Sequence, residues 1–316
     1  MMNNSRFINE GSTNARSRLI KAVQSGIDNL ESYEIKPNGV FGSEAEIICE
    51  AVTITSNELD LEFTVDFDDD IVPNEAEIIV YNLSNNTINQ FKKDTEISIK
   101  AGYNGDTGIL FKGYVTSVKT KREGADRVTT IKCIDDIKDH TITETTYEAG
   151  TKASTILNDL LKKTGTPIKI FKPYRDWEYT SEEKVDGDLM EKVKHYSQVC
   201  GVSTYINNGQ IYSRRLSEGD NLYFTLSEET GLLGTPEEFE EEKSLVMQEA
   251  DEEAGKEKVD YSETIKGFEC ECLLQHRFSA GGIVALKSQE ANGEYRICSG
   301  QHRFSRDESI SEIKMY

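Results

Sequence analysis

The 316-residue sequence has little basic charge for its length and contains no long apolar run. Lysine and arginine number 36 against 57 aspartates and glutamates, which gives a formal net charge of −21. Because nucleic-acid binding needs basic side chains to neutralise phosphates, this balance excludes a direct grip on nucleic acid. No segment approaches the roughly 20 apolar residues that cross a bilayer, and the first residues lack the apolar core of a secretory signal. We therefore expect synthesis in a cytoplasm and no membrane insertion.

Enzyme motifs and a disulfide framework are also missing. The sequence has no G-x-S-x-G, H-E-x-x-H or G-x-x-x-x-G-K-[ST] motif. Its six cysteines come without a secretory signal, so disulfides are not expected. Cys49, Cys133 and Cys200 stand in apolar runs, which is typical of small buried side chains. These features favour a protein that is not an enzyme and uses no cofactor.

The first 145 residues divide into a helical arm and a strand-rich block. Within residues 1–42, an apolar stripe at helical spacing predicts one amphipathic helix. Residues 43–145 change to period-two runs rich in Ile, Val, Thr and aromatic residues, separated by turn signals such as "YNGDTG". Regular strands with tight connections predict an antiparallel β-barrel or β-sandwich. Ser84 is placed to cap a short helix that interrupts the strands.

The remaining residues predict a small α/β domain and a second strand-rich block. Residues 146–216 mix helical and strand patterns around an Asn208-Gly209 hairpin turn, and residues 217–316 return to strands. The second block contains an acidic insertion at about 237–266. We predict that this insertion is exposed and partly helical around Leu245–Met247. The predicted fold class is α+β, mainly β, with two antiparallel strand-rich blocks separated by the α/β domain.

The pentapeptide "QHRFS" occurs twice, at 275–279 and 301–305. One interpretation is a zinc or iron–sulfur site. Its candidate ligands are Cys270, Cys272, His276, Cys298 and His302. The other interpretation is two strand ends beside small core cysteines. The C-x-C spacing differs from the C-x2-C pattern of structural zinc sites, so we favour the strand ends. No metal, catalytic or cofactor-binding residue is predicted.

Two further segments have a chemical and a structural interpretation. The run "DFDDD" at 66–70 resembles a cation site, but it lacks the spacing and closing glutamate of a calcium loop, which favours an acidic turn. Tyr174, Trp177 and Tyr179 could form a sugar-stacking patch for peptidoglycan. A loop packed on the small α/β domain is the favoured interpretation.

Several segments of both strand-rich blocks match one protein family. The segments "PNEAEIIVYNLSNNTI", "AGYNGDTGILFKGYV" and "CIDD" resemble the first domain of phage tail baseplate hub proteins. "TGLLGTP" and the run from "LLQHRFSAGG" to "NGEYRICSGQHRFS" resemble its last domain. The middle segment follows the family's order of helix, strand, helix and hairpin, so the resemblance covers roughly residues 40–316.

This resemblance implies a structural protein in which both strand-rich blocks are tail-tube-like β-barrels. Three chains would then form a trimeric, pseudo-sixfold ring that joins the central spike to the tail tube and starts tube assembly. Tape-measure and baseplate wedge proteins are further candidate partners. The implied location is the baseplate of a virion tail or of a phage-derived bacteriocin particle. The alternatives are a metal-dependent or cell-wall-degrading tail enzyme and a cell-wall-binding adhesin.

Overall fold

The computed structural model describes residues 42–50, 52–103, 105–135, 142–220, 223–247 and 260–316. The predicted N-terminal arm and helix lie outside these residues, apart from Gly42. The described part is mainly β with large antiparallel sheets, which confirms the predicted fold class. No helix within it is both long and apolar enough to cross a membrane.

The first β region covers residues 43–134. Its strands are β1 (Ser43–Cys49), β2 (Val52–Thr55), β3 (Leu61–Asp68), β4 (Glu75–Tyr81), β5 (Glu96–Tyr103), β6 (Asp106–Glu123) and β7 (Asp126–Ile134). Alternate residues along β1, β3, β4 and β5 are buried, because successive side chains of a strand point to opposite faces. Helix α1 (Asn85–Ile88) interrupts the strands, and the Ser84 side chain caps it by accepting the Thr87 N–H, as predicted.

The α/β region covers residues 142–214. Its elements are β8 (Ile142–Tyr147), α2 (Ala153–Lys163), β9 (Ile168–Phe171), β10 (Glu183–Asp188), α3 (Leu189–Val199), β11 (Ser203–Asn207) and β12 (Gln210–Arg214). Both helices and the Asn208-Gly209 hairpin agree with the sequence pattern. Asn208 and Gly209 have φ angles of 50° and 71°, the left-handed conformation that such a two-residue turn requires.

The second β region covers residues 223–315. Its strands are β13 (Tyr223–Ser227), β14 (Leu232–Met247), β15 (Asp260–Leu273), β16 (Ile283–Lys287), β17 (Asn292–Phe304) and β18 (Ser309–Met315). The sequence pattern predicts long strands here but misses β18, which contains only seven residues and alternates buried with half-buried positions.

The acidic segment corrects one prediction. Residues Leu245–Met247 belong to β14 and are not helical, because the backbone of β14 pairs with β15 as far as Met247 opposite Asp260. The described parts of the predicted insertion are therefore the two arms of a long hairpin. Residues 248–259 of the insertion lie outside the described residues. A high glutamate content suggested helix or loop, whereas strand pairing with a neighbour decided the outcome.

The two β regions repeat one strand order. The first runs β3-β4-β7-β6-β5-β1 and the second runs β14-β15-β18-β17-β16-β13. Every pairing is antiparallel in both orders, except that β13 runs parallel to β16 where β1 runs antiparallel to β5. Among the described strands neither order returns to its first strand, so closure into barrels stays a prediction.

The repeat extends to the register of one hairpin. In β6–β7 a β-bulge lies between Val115 and Ser117, and in β17–β18 a β-bulge lies between Ile297 and Ser299. Val115 faces Cys133, and Ile297 faces Met315. Counterparts on both strands are therefore 182 residues apart in the sequence. The bulge interrupts each hairpin at the same point, which makes the two β regions comparable residue by residue.

Candidate functional site

The two β regions are joined edge to edge within one sheet. The C-terminal half of β17, residues 299–304, pairs antiparallel with residues 63–68 of β3. The N-terminal half of β17 pairs with β16 on the same side. We call this junction, together with Asp106 and residues 275–279, the seam. An exposed strand edge offers unpaired backbone groups to any other strand, and here the chain uses them on itself.

The second "QHRFS" closes β17, as predicted. It also lies on the seam, which the sequence did not indicate. The Phe304 ring stacks on Phe63 with centroids 5.3 Å apart, and the His302 ring stacks on Phe67 at 4.8 Å. Gln301 Nε2 donates a hydrogen bond of 2.7 Å to Asp66 Oδ1. The three side chains therefore add specific contacts to the backbone pairing between the two regions.

His302 is a fully buried neutral histidine. Its Nε2 lies 3.2 Å from the Phe278 carbonyl oxygen, which can only accept, so Nε2 carries the proton. Its Nδ1 then accepts from the Ser311 hydroxyl at 2.8 Å. Burial lowers the pKa of His302 to about 4. The second copy of the pentapeptide thus holds the first copy in place through the Phe278 carbonyl.

The first "QHRFS" does not close a strand, which corrects the prediction. Strand β15 ends at Leu273, and residues 275–279 form the following turn. Gln275 stabilises that turn, because its carbonyl accepts the Phe278 N–H at 3.1 Å and its side-chain oxygen accepts the Arg277 N–H at 3.2 Å. The strand therefore ends at Leu273, and Gln275 begins a turn because its oxygens accept hydrogen bonds from the turn backbone.

This turn reaches the first β region at Asp106, the first residue of β6. Both terminal nitrogens of Arg277 donate to the Asp106 carboxylate, at 2.8 and 2.6 Å, and His276 Nε2 lies 3.1 Å from the same group. The hydrogen bonds from Arg277, followed by those from His276, lower the pKa of Asp106 to about 2. The His276 ring lies against Gly108, where any Cβ would overlap it. Burial lowers the pKa of His276.

The cysteines do not join the histidines in a metal cluster. Cys272 Sγ donates to the Ser311 carbonyl at 3.2 Å, and Cys298 Sγ donates to the Lys314 carbonyl at 3.3 Å. Burial raises the pKa of Cys270 to about 12 and also raises that of Cys272. Among the described residues, no three His, Cys, Asp or Glu side chains are grouped to hold a metal ion. The three cysteines are therefore core side chains, and Cys272 and Cys298 bond to backbone.

A second link between the β regions is ionic and buried. Asp69, in the acidic turn after β3, accepts from Arg296 at 2.5 Å, and the two side chains are only 2% and 4% exposed. The Asp69 carbonyl also accepts from the Ser203 hydroxyl of the α/β region at 2.5 Å. Asn74 ends the same turn and donates to the Ile206 carbonyl at 3.3 Å. The acidic turn was predicted, but its role as the meeting point of all three regions was not.

The aromatic loop lies on the α/β region, as favoured. The backbone N–H groups of Tyr174 and Arg175 donate to the Cys200 carbonyl, and the Tyr179 ring contacts Tyr196 edge to face at 6.3 Å. Tyr174 is 58% exposed and Trp177 is 43% exposed. The Arg215 guanidinium covers the Tyr174 ring at 3.7 Å.

Comparisons with known proteins agree with this architecture. A family model described as baseplate hub gp41 matches residues 51–248. The 43 kDa tail protein of prophage MuSo2 from Shewanella oneidensis has a TM-score of 0.60 at 10% identity, covering 87% of this chain and 97% of that protein. The tail protein from Neisseria meningitidis MC58 has a TM-score of 0.59 at 9% identity, covering 87% and 96%. No curated protein matches the chain.

A component of a type VI secretion system shares the fold. The E. coli c3393 protein of the type VI secretion system, described as similar in structure to the T4 tail proteins gp27 and gp5, has a TM-score of 0.53 at 9% identity. That alignment covers 85% of this chain and 76% of that protein. At such low identities these three likenesses establish the fold alone.

Proposed function

The chain belongs to the baseplate hub gp41 family, and we propose that three copies form the ring that joins the central spike of a phage tail to its tube. Membership of this family makes the chain a structural component of a phage tail. Its location is accordingly the tail baseplate. The proposal adds the trimer, the pseudo-sixfold symmetry and the initiation of tube assembly.

The observation that carries the proposal is the repeated strand order of the two β regions. Three chains with two similar units each supply six units, which is the number that a hexameric tube ring would meet. The opposite face of the same ring keeps only threefold symmetry and suits a trimeric spike. The proposed division of the chain assigns one tube-like unit to residues 43–145 and the other to residues 217–316.

The proposed action consists of binding between surfaces, with no bond made or broken. At the seam His276 is hydrogen-bonded to Asp106 and His302 to the Ser311 hydroxyl, and Cys272 beside it bonds to backbone, which supports a structural assignment. The proposed partners are the tube and spike proteins, followed by tape-measure and wedge proteins. We place synthesis in the cytoplasm of a bacterial host. A bacteriocin particle is a second setting for the same ring.

The test is the composition and symmetry of particles from the producing bacterium. Deleting the gene should abolish complete tails, and complementation should restore them. The mass of the chain purified with its spike should correspond to three copies. Complete tails without the chain, or a complex with one copy per spike trimer, would contradict the proposal. A zymogram and a peptidoglycan pull-down on the same material test the enzyme and adhesin alternatives.

A further inference from the structure

Strand β6 has one open edge at its C-terminal half. Strand β5 pairs only with residues 106–114 of β6, so residues 117–123 have no partner strand on that side within the described part of the chain. The equivalent residues of β17 are 299–304, which follow the segment paired with β16. These residues pair with β3 on the same side of the strand. This edge is therefore paired in the second β region and has no partner strand in the described part of the first.

Strand β14 has the complementary edge without a second partner strand among the described residues, and helix α3 lies near part of this strand. It is the last strand of the large sheet and pairs only with β15 among the described strands. Its counterpart in the repeated order is β3, the strand that β17 uses in the seam. Within the described residues, each chain thus contains one complete junction, β17 with β3, and two further edges, on β6 and β14, that are equivalent to its two sides.

We propose that the open edge of β6 in one copy pairs antiparallel with the open edge of β14 in the next copy, in the register of the seam. This inference rests on the proposed ring and specifies its contact between subunits. The occupant of each edge is a second copy of this chain. The interface is heterologous, and such contacts generate a ring when the rotation closes.

The register follows from matched positions in the two regions. In the first region Val65 pairs with Ala76, which pairs with Cys133 on the next strand. In the second region Glu238 pairs with Phe268, which pairs with Met315 on the next strand. Since Cys133 and Met315 are counterparts, Val65 and Glu238 are counterparts too.

In the seam Val65 faces His302, whose counterpart in β6 is Thr120. The transferred register therefore places Thr120 opposite Glu238 of the next copy. The six pairs of the transferred register are Ser117 with Glu241, Val118 with Glu240, Lys119 with Phe239, Thr120 with Glu238, Lys121 with Glu237 and Arg122 with Pro236.

The charges of the two edges are complementary. Lys119, Lys121 and Arg122 are exposed along β6, in a chain whose net charge is −21. The exposed residues of the facing β14 segment are glutamates: Glu237, Glu238, Glu240 and Glu241. In this register Lys121 lies directly opposite Glu237, in addition to its ion pair with Glu123 on its own strand. Opposite charges on facing strands stabilise pairing, and like charges would oppose it.

Cysteine cross-linking tests the register in assembled particles. Directly opposite residues of antiparallel strands have Cα atoms about 4.5–5.5 Å apart, within disulfide range. The variants are Thr120→Cys with Glu238→Cys and Lys121→Cys with Glu237→Cys. The six natural cysteines are free and buried, and burial raises the pKa of Cys133 and Cys200 to about 12, so mild oxidation should spare them.

We expect disulfide-linked dimers and trimers of the chain for both matched pairs. The control is Lys121→Cys with Glu241→Cys, which is four residues, or about 13 Å, out of register and should stay unlinked. Particles that contain the chain but remain unlinked at both matched pairs overturn the proposed junction and leave the proposed ring standing. Absence of the chain from purified tails overturns both.

A charge exchange tests the complementarity. Lys121→Glu should lower the affinity of each junction by about two- to fivefold, as expected for an exposed ion pair, and adding Glu237→Lys should restore it. The readout is the yield of trimer with spike across a salt series. A double variant as defective as the single one overturns this contact.

Discussion

The two β regions share a strand order but differ in how their edges are occupied and in what lies buried there. In the second region β17 is covered by β3, and buried polar side chains such as His302 and Arg296 accompany the contact. In the first region the equivalent stretch of β6 has no partner strand among the described residues and carries exposed lysine and arginine. The comparison teaches that one strand order can carry two differently occupied edges, with apolar and buried polar side chains at the paired edge and charged side chains at the other.

The largest effect is expected from breaking the buried ionic link at the seam. Asp69→Asn leaves the Arg296 charge buried without its carboxylate, which should cost about 3–5 kcal/mol in the free energy of unfolding. Urea denaturation of the purified chain measures this. The control Asp70→Asn changes an exposed neighbour that keeps its acceptor oxygen for the Val72 N–H, and should stay within about 0.5 kcal/mol. Equal losses in both variants would contradict the assignment.

The second test compares equivalent positions of the covered and open edges. Phe304→Ala removes a buried ring stacked on Phe63 and should cost about 3 kcal/mol. Arg122→Ala, at the matching position of β6, should change the free energy of unfolding by less than about 0.5 kcal/mol. Thermal and urea unfolding of the two variants measure the contrast. A similar cost at both positions would show that the edges are equally occupied in the free chain.

The third test uses pH to separate the regions. The folded pKa of His302 is about 4, below the ordinary value of 6.5, so the unfolded chain binds the proton first. Stability is therefore lost as pH falls from 6.5 towards 4, by about 2–3 kcal/mol at pH 4.5. Asp68 also titrates in this range, because burial raises its pKa to about 6, and it does so in the parent and in the variant. Comparing the two proteins, the parent and His302→Gln, at pH 7 and 4.5 therefore isolates the contribution of His302. Parallel pH profiles would refute the role of His302.

The smallest effect is expected at the exposed link between Arg277 and Asp106. Arg277→Ala should cost less than about 1 kcal/mol, because Asp106 is 46% exposed and solvent screens the pair. It should nevertheless raise the pKa of Asp106 from about 2 towards its ordinary value, measurable by NMR titration. Arg306→Ala, at an exposed position, is the control and should leave that pKa unchanged.

Local features of the fold could be predicted because their causes are local. Period-two alternation identified the strands of the first β region, and helical spacing with a following glycine identified α2 and α3. The same logic failed for Leu245–Met247, where abundant glutamate suggested helix and pairing with β15 imposed a strand. The repeated pentapeptide was noticed from the sequence, but the roles of its two copies differ because one is a turn and the other a strand end.

The sequence by itself determined the family resemblance, the order of elements outside β14 and β18, and the alternation of buried side chains along the strands of the first β region. Only the tertiary structure decided that β3 meets β17, residues more than 200 positions apart, and that part of β6 and the outer edge of β14 have no partner strand within the described ranges. The physical reason is that side-chain alternation is written residue by residue. Edge pairing instead uses backbone N–H and C=O groups, which are nearly the same in every residue and therefore leave little trace in the sequence.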